Sequence, residues 1–130
     1  MIAEIGSFIL LAMLFCHIVD DYYLQGILAS MKQKSWWQVN APDKLYEYDY
    51  LVALIMHGFS WAFMIMLPIA IACGLKIGFW FIVVFFLNAA IHCFVDDLKA
   101  NKKKINLCQD QAAHIYQIII TFWLFDWGVL

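Results

Sequence analysis

Four long stretches of this chain, 5–19, 51–73, 77–95 and 111–125, contain no Asp, Glu, Lys or Arg. Each approaches the roughly 20 mainly apolar residues that carry a helix across a bilayer, and no other feature limits the fold as much. With 130 residues, 65% of them hydrophobic and only 14% charged, the chain lacks the polar surface that a water-soluble domain of this size presents. In lipid the backbone must satisfy its own hydrogen bonds, which leaves helices for segments of this length. The prediction is an all-α polytopic membrane protein, a four-helix transmembrane bundle forming a single domain over 1–130, with spans at about 2–23, 50–73, 77–98 and 105–127. The connections after Cys73 and Lys99 are short and only Gln25 to Asp49 is long, so sequence neighbours are expected to run antiparallel.

The first segment reads as a retained span and not as a cleaved leader. It opens with Glu4 where a basic region is expected and closes on His and Asp where small residues are expected. All eight basic residues are lysines. With an even number of spans, both termini share a side with the Cys73 to Ile77 turn, which holds only Lys76. Lys32, Lys34, Lys44, Lys99, Lys102, Lys103 and Lys104 fall on the other side. The positive-inside rule predicts that lysine-rich side to be cytoplasmic and both termini to lie outside. A formal net charge of -2 with the lysines confined to connections argues against nucleic acid as a partner. The expected partner is the bilayer, with Lys102 to Lys104 at its anionic headgroups; a homo-oligomer is compatible with the same reading. Cys16, Cys73, Cys93 and Cys108 show no CxxC spacing and read as small buried hydrophobes. Trp36, Trp37, Tyr46, Tyr48 and Tyr50 read as an interfacial belt.

Against this background the His and Asp residues are ordered. The first segment carries His17 and Asp21, the second His57, the third His92 and Asp96, the fourth Asp110 and His114. Residues four apart on a helix lie about 5 to 6 Å apart at Cβ, so each His–Asp pair can close on one ion, whereas Asp20 and Asp97 are expected to point elsewhere. At about 1.5 Å of rise per residue, all seven groups fall at a similar depth near the lysine-rich side. Each carboxylate near a helix centre costs on the order of 3 kcal/mol to insert, and only Lys99, at a span edge, is placed to offset it. A bound cation is therefore expected, with His17, Asp21, His57, His92, Asp96, Asp110 and His114 as its candidate ligands. The donor set favours zinc, with iron or manganese as alternatives. Seven groups exceed one tetrahedral shell, so either two ions share a carboxylate or some groups only hydrogen-bond to the ligands. Gln25, Asn88 and Gln117 lie three or four residues from these groups and are expected to bond to them. A His/Asp hydrogen-bond network without metal is the alternative.

"HIVDDYYLQ", the lone His57 in "LIMHGF", "HCFVDDLK" and "DQAAH" closely resemble, in that order, a family of small integral membrane proteins of bacteria and their phages. That family is catalogued only as a domain of unknown function, and its pattern runs H-x-x-x-D-[FY]-x-x-Q, then His, then H-x-x-x-D-x-x-K, then D-Q-x-x-H. The resemblance covers nearly the whole chain and adds Tyr22 and Gln111 to the site positions. It implies residence in the bacterial inner membrane but assigns no reaction. Asp20 and Asp97 depart from residues the family often has there. The expected function is a metal-dependent hydrolase acting on an amphiphilic or lipid-like substrate, such as a phosphorylated amphiphile, at the cytoplasmic leaflet. In it a metal-activated water attacks, one of Asp21, Asp96 or Asp110 serves as general base, and Lys99 holds an anionic group. A di-iron oxidoreductase, a metal or proton transporter, and a non-enzymatic phage protein altering the host envelope are the alternatives.

Overall fold

The computed structural model describes residues 2–130, with side chains from Gly6 onward, and every regular element among them is helical. Helix α1 spans Ile2–Val19 and runs directly into a π-helical turn, Asp20–Leu24. Two short helices follow, α2 (Leu28–Met31) and α3 (Lys34–Asn40), then a 3-10 turn at Lys44–Tyr46. Three long helices complete the chain: α4 (Asp49–Ala72), α5 (Phe79–Ala100) and α6 (Leu107–Asp126).

Three segments, Gly6–Leu24, Lys44–Ala72 and Phe79–Ala100, are long and apolar enough to cross a membrane. The remaining helix, α6, is interrupted in its first half by Gln109, Asp110, Gln111, His114 and Gln117. These are inward-facing groups in part, since Asp110, His114 and Gln117 are buried. Its start is set locally, because Asn106 accepts from the Gln109 N–H while the Gln109 side chain accepts from the Asn106 N–H, the reciprocal cap that satisfies two free donors.

Spacing of four residues organises the interior into layers. Ile9, Met13 and His17 form a buried ladder on α1, His57, Trp61, Ile65 and Ile69 one on α4, and Val84, Asn88, His92 and Asp96 one on α5. Ile65, Ile69, Phe81, Val84 and Ile118 belong to the apolar end of the core. Next comes an amide layer, in which Gln117 donates to Asn88 at 2.8 Å and Asn88 donates to Thr121 at 2.9 Å. The His and Asp residues form the third layer.

The connection between α1 and α4 folds back onto the bundle. Asn101, at the end of α5, donates to the Lys32 carbonyl at 3.1 Å and accepts from the Lys34 N–H at 2.7 Å. Trp37 donates from its indole to the Met31 carbonyl. This pins the backbone of 31–34 over the polar end of α5.

Helices α4 and α5 meet at Gly58. A Cβ built there would lie 2.3 Å from the Cys93 sulfur and 2.9 Å from the Ala89 carbonyl oxygen, so the small residue permits the close approach that lipid-embedded helices rely on. Gly58→Ala is expected to destabilise the bundle by roughly 1–3 kcal/mol, the range for overpacking, read as a lower thermal midpoint in detergent. Adding Cys93→Ala should recover only part of the loss, since the Ala89 carbonyl still obstructs.

Candidate metal centre

Four elements deliver side chains to one point: the π turn brings Asp21, α4 His57, α5 His92 and Asp96, and α6 His114. His57, His92 and His114 are each at most 1% exposed and Asp96 is 3% exposed. Two groups of three come close enough to share an ion, Asp21–His57–His92 and His92–Asp96–His114, with His92 in both. His57 Nε2 stands 3.1 Å from His92 Nε2, 3.2 Å from Asp21 Oδ1 and 3.5 Å from Asp96 Oδ2. His92 Nε2 is 3.8 Å from Asp21 Oδ1 and 3.7 Å from Asp96 Oδ2. With bonds of about 2.0–2.1 Å, neighbouring ligand atoms of a tetrahedral zinc stand about 3.3 Å apart, so these separations bracket those of a coordination shell and several are slightly wider. Asp96 also turns its other oxygen, Oδ1, to His114 Nε2 at 3.5 Å, and Asp110 Oδ1 lies equally far from that nitrogen.

Two further observations fit a cation here. Asp21 Oδ1, Asp110 Oδ1 and both ring nitrogens of His114 are buried without a hydrogen-bond partner. An unsatisfied buried polar group costs about 1–3 kcal/mol, more when charged, and several in one place are what a cation-binding cluster presents. The charges also leave a remainder. Asp20, Asp21, Asp96 and Asp110 converge on the site against the ammonium groups of Lys32 and Lys99. With the histidines neutral, the two negative charges in excess equal the charge of one divalent ion.

The surroundings are built from aromatic and amide groups. Trp61 stacks on His92 at 4.2 Å between ring centroids, and His92 stacks on His114 at the same distance. The Trp61 indole donates to His17 Nδ1 at 2.8 Å, which leaves the His17 proton on Nε2, 3.1 Å from Gln111 Oε1. With both ring nitrogens engaged, His17 lies beside the two triads and outside them. Gln111 then donates from Nε2 to Asp110 Oδ2 at 3.0 Å. Lys99 turns inward onto the same oxygen at 2.7 Å instead of reaching to the surface.

The structure corrects several sequence expectations. Asp20 does not point away: it is 1% exposed, accepts from the Ser60 hydroxyl at 2.6 Å and has Oδ2 3.6 Å from His57 Nδ1. The cause is the π turn, closed by the bond from the Gln25 N–H to the Asp20 carbonyl, whose extra residue per turn lets Asp20 and Asp21 both face inward. Lys32, read as a topology signal, is buried and donates to Asp96 Oδ2 at 2.6 Å. Asn88 and Gln117, expected to bond to the ligands, instead bond to each other, with Asn88 also reaching Thr121 and Met66. Gln25 reaches the backbone carbonyl of Asp21 and not its carboxylate. Asp97 does stay outside, bonded to Asn101 and Lys102, and Cys108 is exposed. Trp61 and Ser60 were missed, although Trp61 is four residues from His57 and so on its face.

A cavity of about 250 Å³ adjoins the cluster, lined by Asp21, Tyr22, Lys32, Asp96, Lys99 and Gln111 among others.

Removing one partner of a buried ion pair costs roughly 3–5 kcal/mol. Lys32→Met is therefore expected to lower the thermal midpoint sharply, and Lys32→Met/Asp96→Asn to be more stable than Lys32→Met alone. Asp20→Ala, which strands the Ser60 hydroxyl, should destabilise by about 1–3 kcal/mol, and Asp20→Asn by less, since an amide oxygen can still accept from Ser60. Equal stability of Asp20→Ala and the parent in detergent would contradict the placement of Asp20. No family model, no curated protein and no solved structure matches this chain.

Proposed function

We propose that this protein is a four-span membrane metalloenzyme, a hydrolase of amphiphilic substrates, with its site in the cytoplasmic leaflet of a bacterial inner membrane. The kinship to the small bacterial and phage membrane family is part of the same proposal. The observation that carries it is the pair of buried His/Asp triads joined at His92, whose donor atoms stand at coordination-shell separations and in part lack any other partner.

Asp21, His57, His92, Asp96 and His114 would hold the ion, zinc first and iron or manganese next. Since the His92 contacts to both carboxylates use Nε2, and one nitrogen lone pair serves one ion, a first ion belongs with Asp21, His57, His92 and Asp96. Asp96, through Oδ1, and His114 would contribute to holding a second. A bound divalent ion supplies Lewis acidity and a water acidified toward a pKa of about 7. The chain's own residues do the rest. Asp110 Oδ1, without a hydrogen-bond partner, is placed to take a proton. Lys99 holds Asp110 by Oδ2 and keeps further N–H donors for an anionic substrate group. Trp61 shields the His92 and His114 rings from the side of the apolar core.

The layer order supports hydrolysis over transport. Beyond the amide layer the interior is closed by Ile65, Ile69 and Phe81, all buried, with no polar path continuing through them among the described residues.

Gently purified protein is expected to contain one or two zinc, iron or manganese ions per chain by elemental analysis. His92→Ala, which removes one of the donors that would hold the first ion, should lower the metal content by one ion per chain, whereas His17→Ala should retain it. A chelator should lower the melting temperature and added ion should restore it. Metal-free protein whose melting curve ignores chelator would reduce the cluster to a structural network. For the topology, a reporter active only in the cytoplasm should give signal when inserted between Gln25 and Asp49 and none when fused after Leu130; the reverse pattern would invert the orientation.

A further inference from the structure

The polar cavity beside the metal centre does not stand alone. A larger groove of about 630 Å³ runs along the outside of the bundle between α1 and α6, lined by Leu14, Ile18, Tyr22, Gln111 and Ile115 among others. Tyr22 and Gln111 line both spaces, so the groove and the cavity meet at these two side chains. The two have opposite chemistry. The groove walls are mainly aliphatic and aromatic, and it lies against helix faces whose neighbours Phe15, Ile18 and Tyr116 are exposed, as lipid-facing residues are. The cavity wall carries Lys32 and Lys99 beside the carboxylates of Asp21 and Asp96. An ammonium has three N–H donors; the hydrogen bonds described for each lysine comprise one, to Asp96 and to Asp110 respectively, which leaves donors for an anion.

We propose that this composite site binds a single-chain amphiphile with a compact anionic head, of the monoacyl phosphate type. Its chain lies along Leu14, Ile18 and Ile115, and its head passes between Tyr22 and Gln111 to Lys99 and Lys32. The ligand reaches the site sideways from the bilayer, between the first and last helices. This rests on the hydrolase reading for its role, and adds to it the substrate class and the route.

The probe is a lysophosphatidic acid carrying a photoactivatable diazirine in its chain, added to the full-length protein in phosphatidylcholine nanodiscs. Irradiation should label Leu14, Ile18 or Ile115 at least tenfold more than Phe63 and Phe86, which are exposed on α4 and α5. Unlabelled lysophosphatidic acid should compete, and a monoacylglycerol of the same chain length should not. Lys99→Gln, with its thermal midpoint checked, should reduce the labelling severalfold, and Ile115→Trp, which fills the groove but leaves the lysines in place, should do the same. Labelling spread evenly over the lipid-facing helices overturns the groove. Labelling confined to it but indifferent to Lys99→Gln and to the missing phosphate overturns the anionic head. Crosslinking needs no turnover, so protein that labels as expected yet holds no metal overturns the hydrolase reading alone, and metal-bearing protein that labels evenly overturns the groove alone.

Discussion

Asp96 is a carboxylate set between apolar helices, and its compensation ties the polar end of the bundle together. Burying an uncompensated charge costs several kcal/mol even after the surroundings relax, so the fold must bring positive charge or hydrogen-bond donors to it. It does so from three directions besides Asp96's own helix: Lys32 from the folded-back connection, His57 from α4 and His114 from α6, with His92 one turn away on α5. Any rearrangement that pulled one helix away would strand that carboxylate. The constraint that makes the site expensive to bury is also what fixes its geometry.

The other consequence is local irregularity where the chain meets the site. A regular α-helix through Asp20 and Asp21 would aim only one of them inward. The π turn admits both, at the cost of one weaker turn, and such insertions occur at functional sites for that reason. The backbone leaves the turn at Gly26 with φ of +51°, a conformation that glycine adopts without steric penalty. That reversal starts the segment which carries Lys32 back over α5, where Asn101 holds it by two backbone bonds. The π turn, the glycine and the asparagine clamp therefore serve one end: delivering charge to a buried carboxylate.

The bundle separates stability from chemistry along its axis. The apolar end packs by volume alone, the amide layer bonds mainly within itself through Asn88, Gln117 and Thr121, and the His/Asp end keeps acceptors unsatisfied. A cluster able to hold a cation needs free lone pairs, and these are tolerable because the opposite end of the same helices is apolar and well packed. The shared walls at Tyr22 and Gln111 extend the separation outward, with an apolar groove on the outside of α1 and α6 and a charged cavity on the other side.

By itself, the sequence determined whatever depends on spacing along one helix. Uncharged runs of membrane length place α1, α4, α5 and α6 to within about two residues at most ends, and i, i+4 spacing puts His92 with Asp96 and Asp110 with His114 on single faces, because helical period is a local property. What only the tertiary structure decided depends on contacts between elements distant in the chain. Lys32 reaches Asp96 across 64 positions and Trp61 reaches His17 across 44, and neither pairing leaves a periodic trace. The inward turn of Asp20 escaped for a different reason: a single inserted residue in a helix changes facing without changing composition. Long-range compensation and local register, not hydrophobic pattern, separated the seven evenly weighted candidates into five clustered donors, a hydrogen-bonded His17 and a lysine-held Asp110.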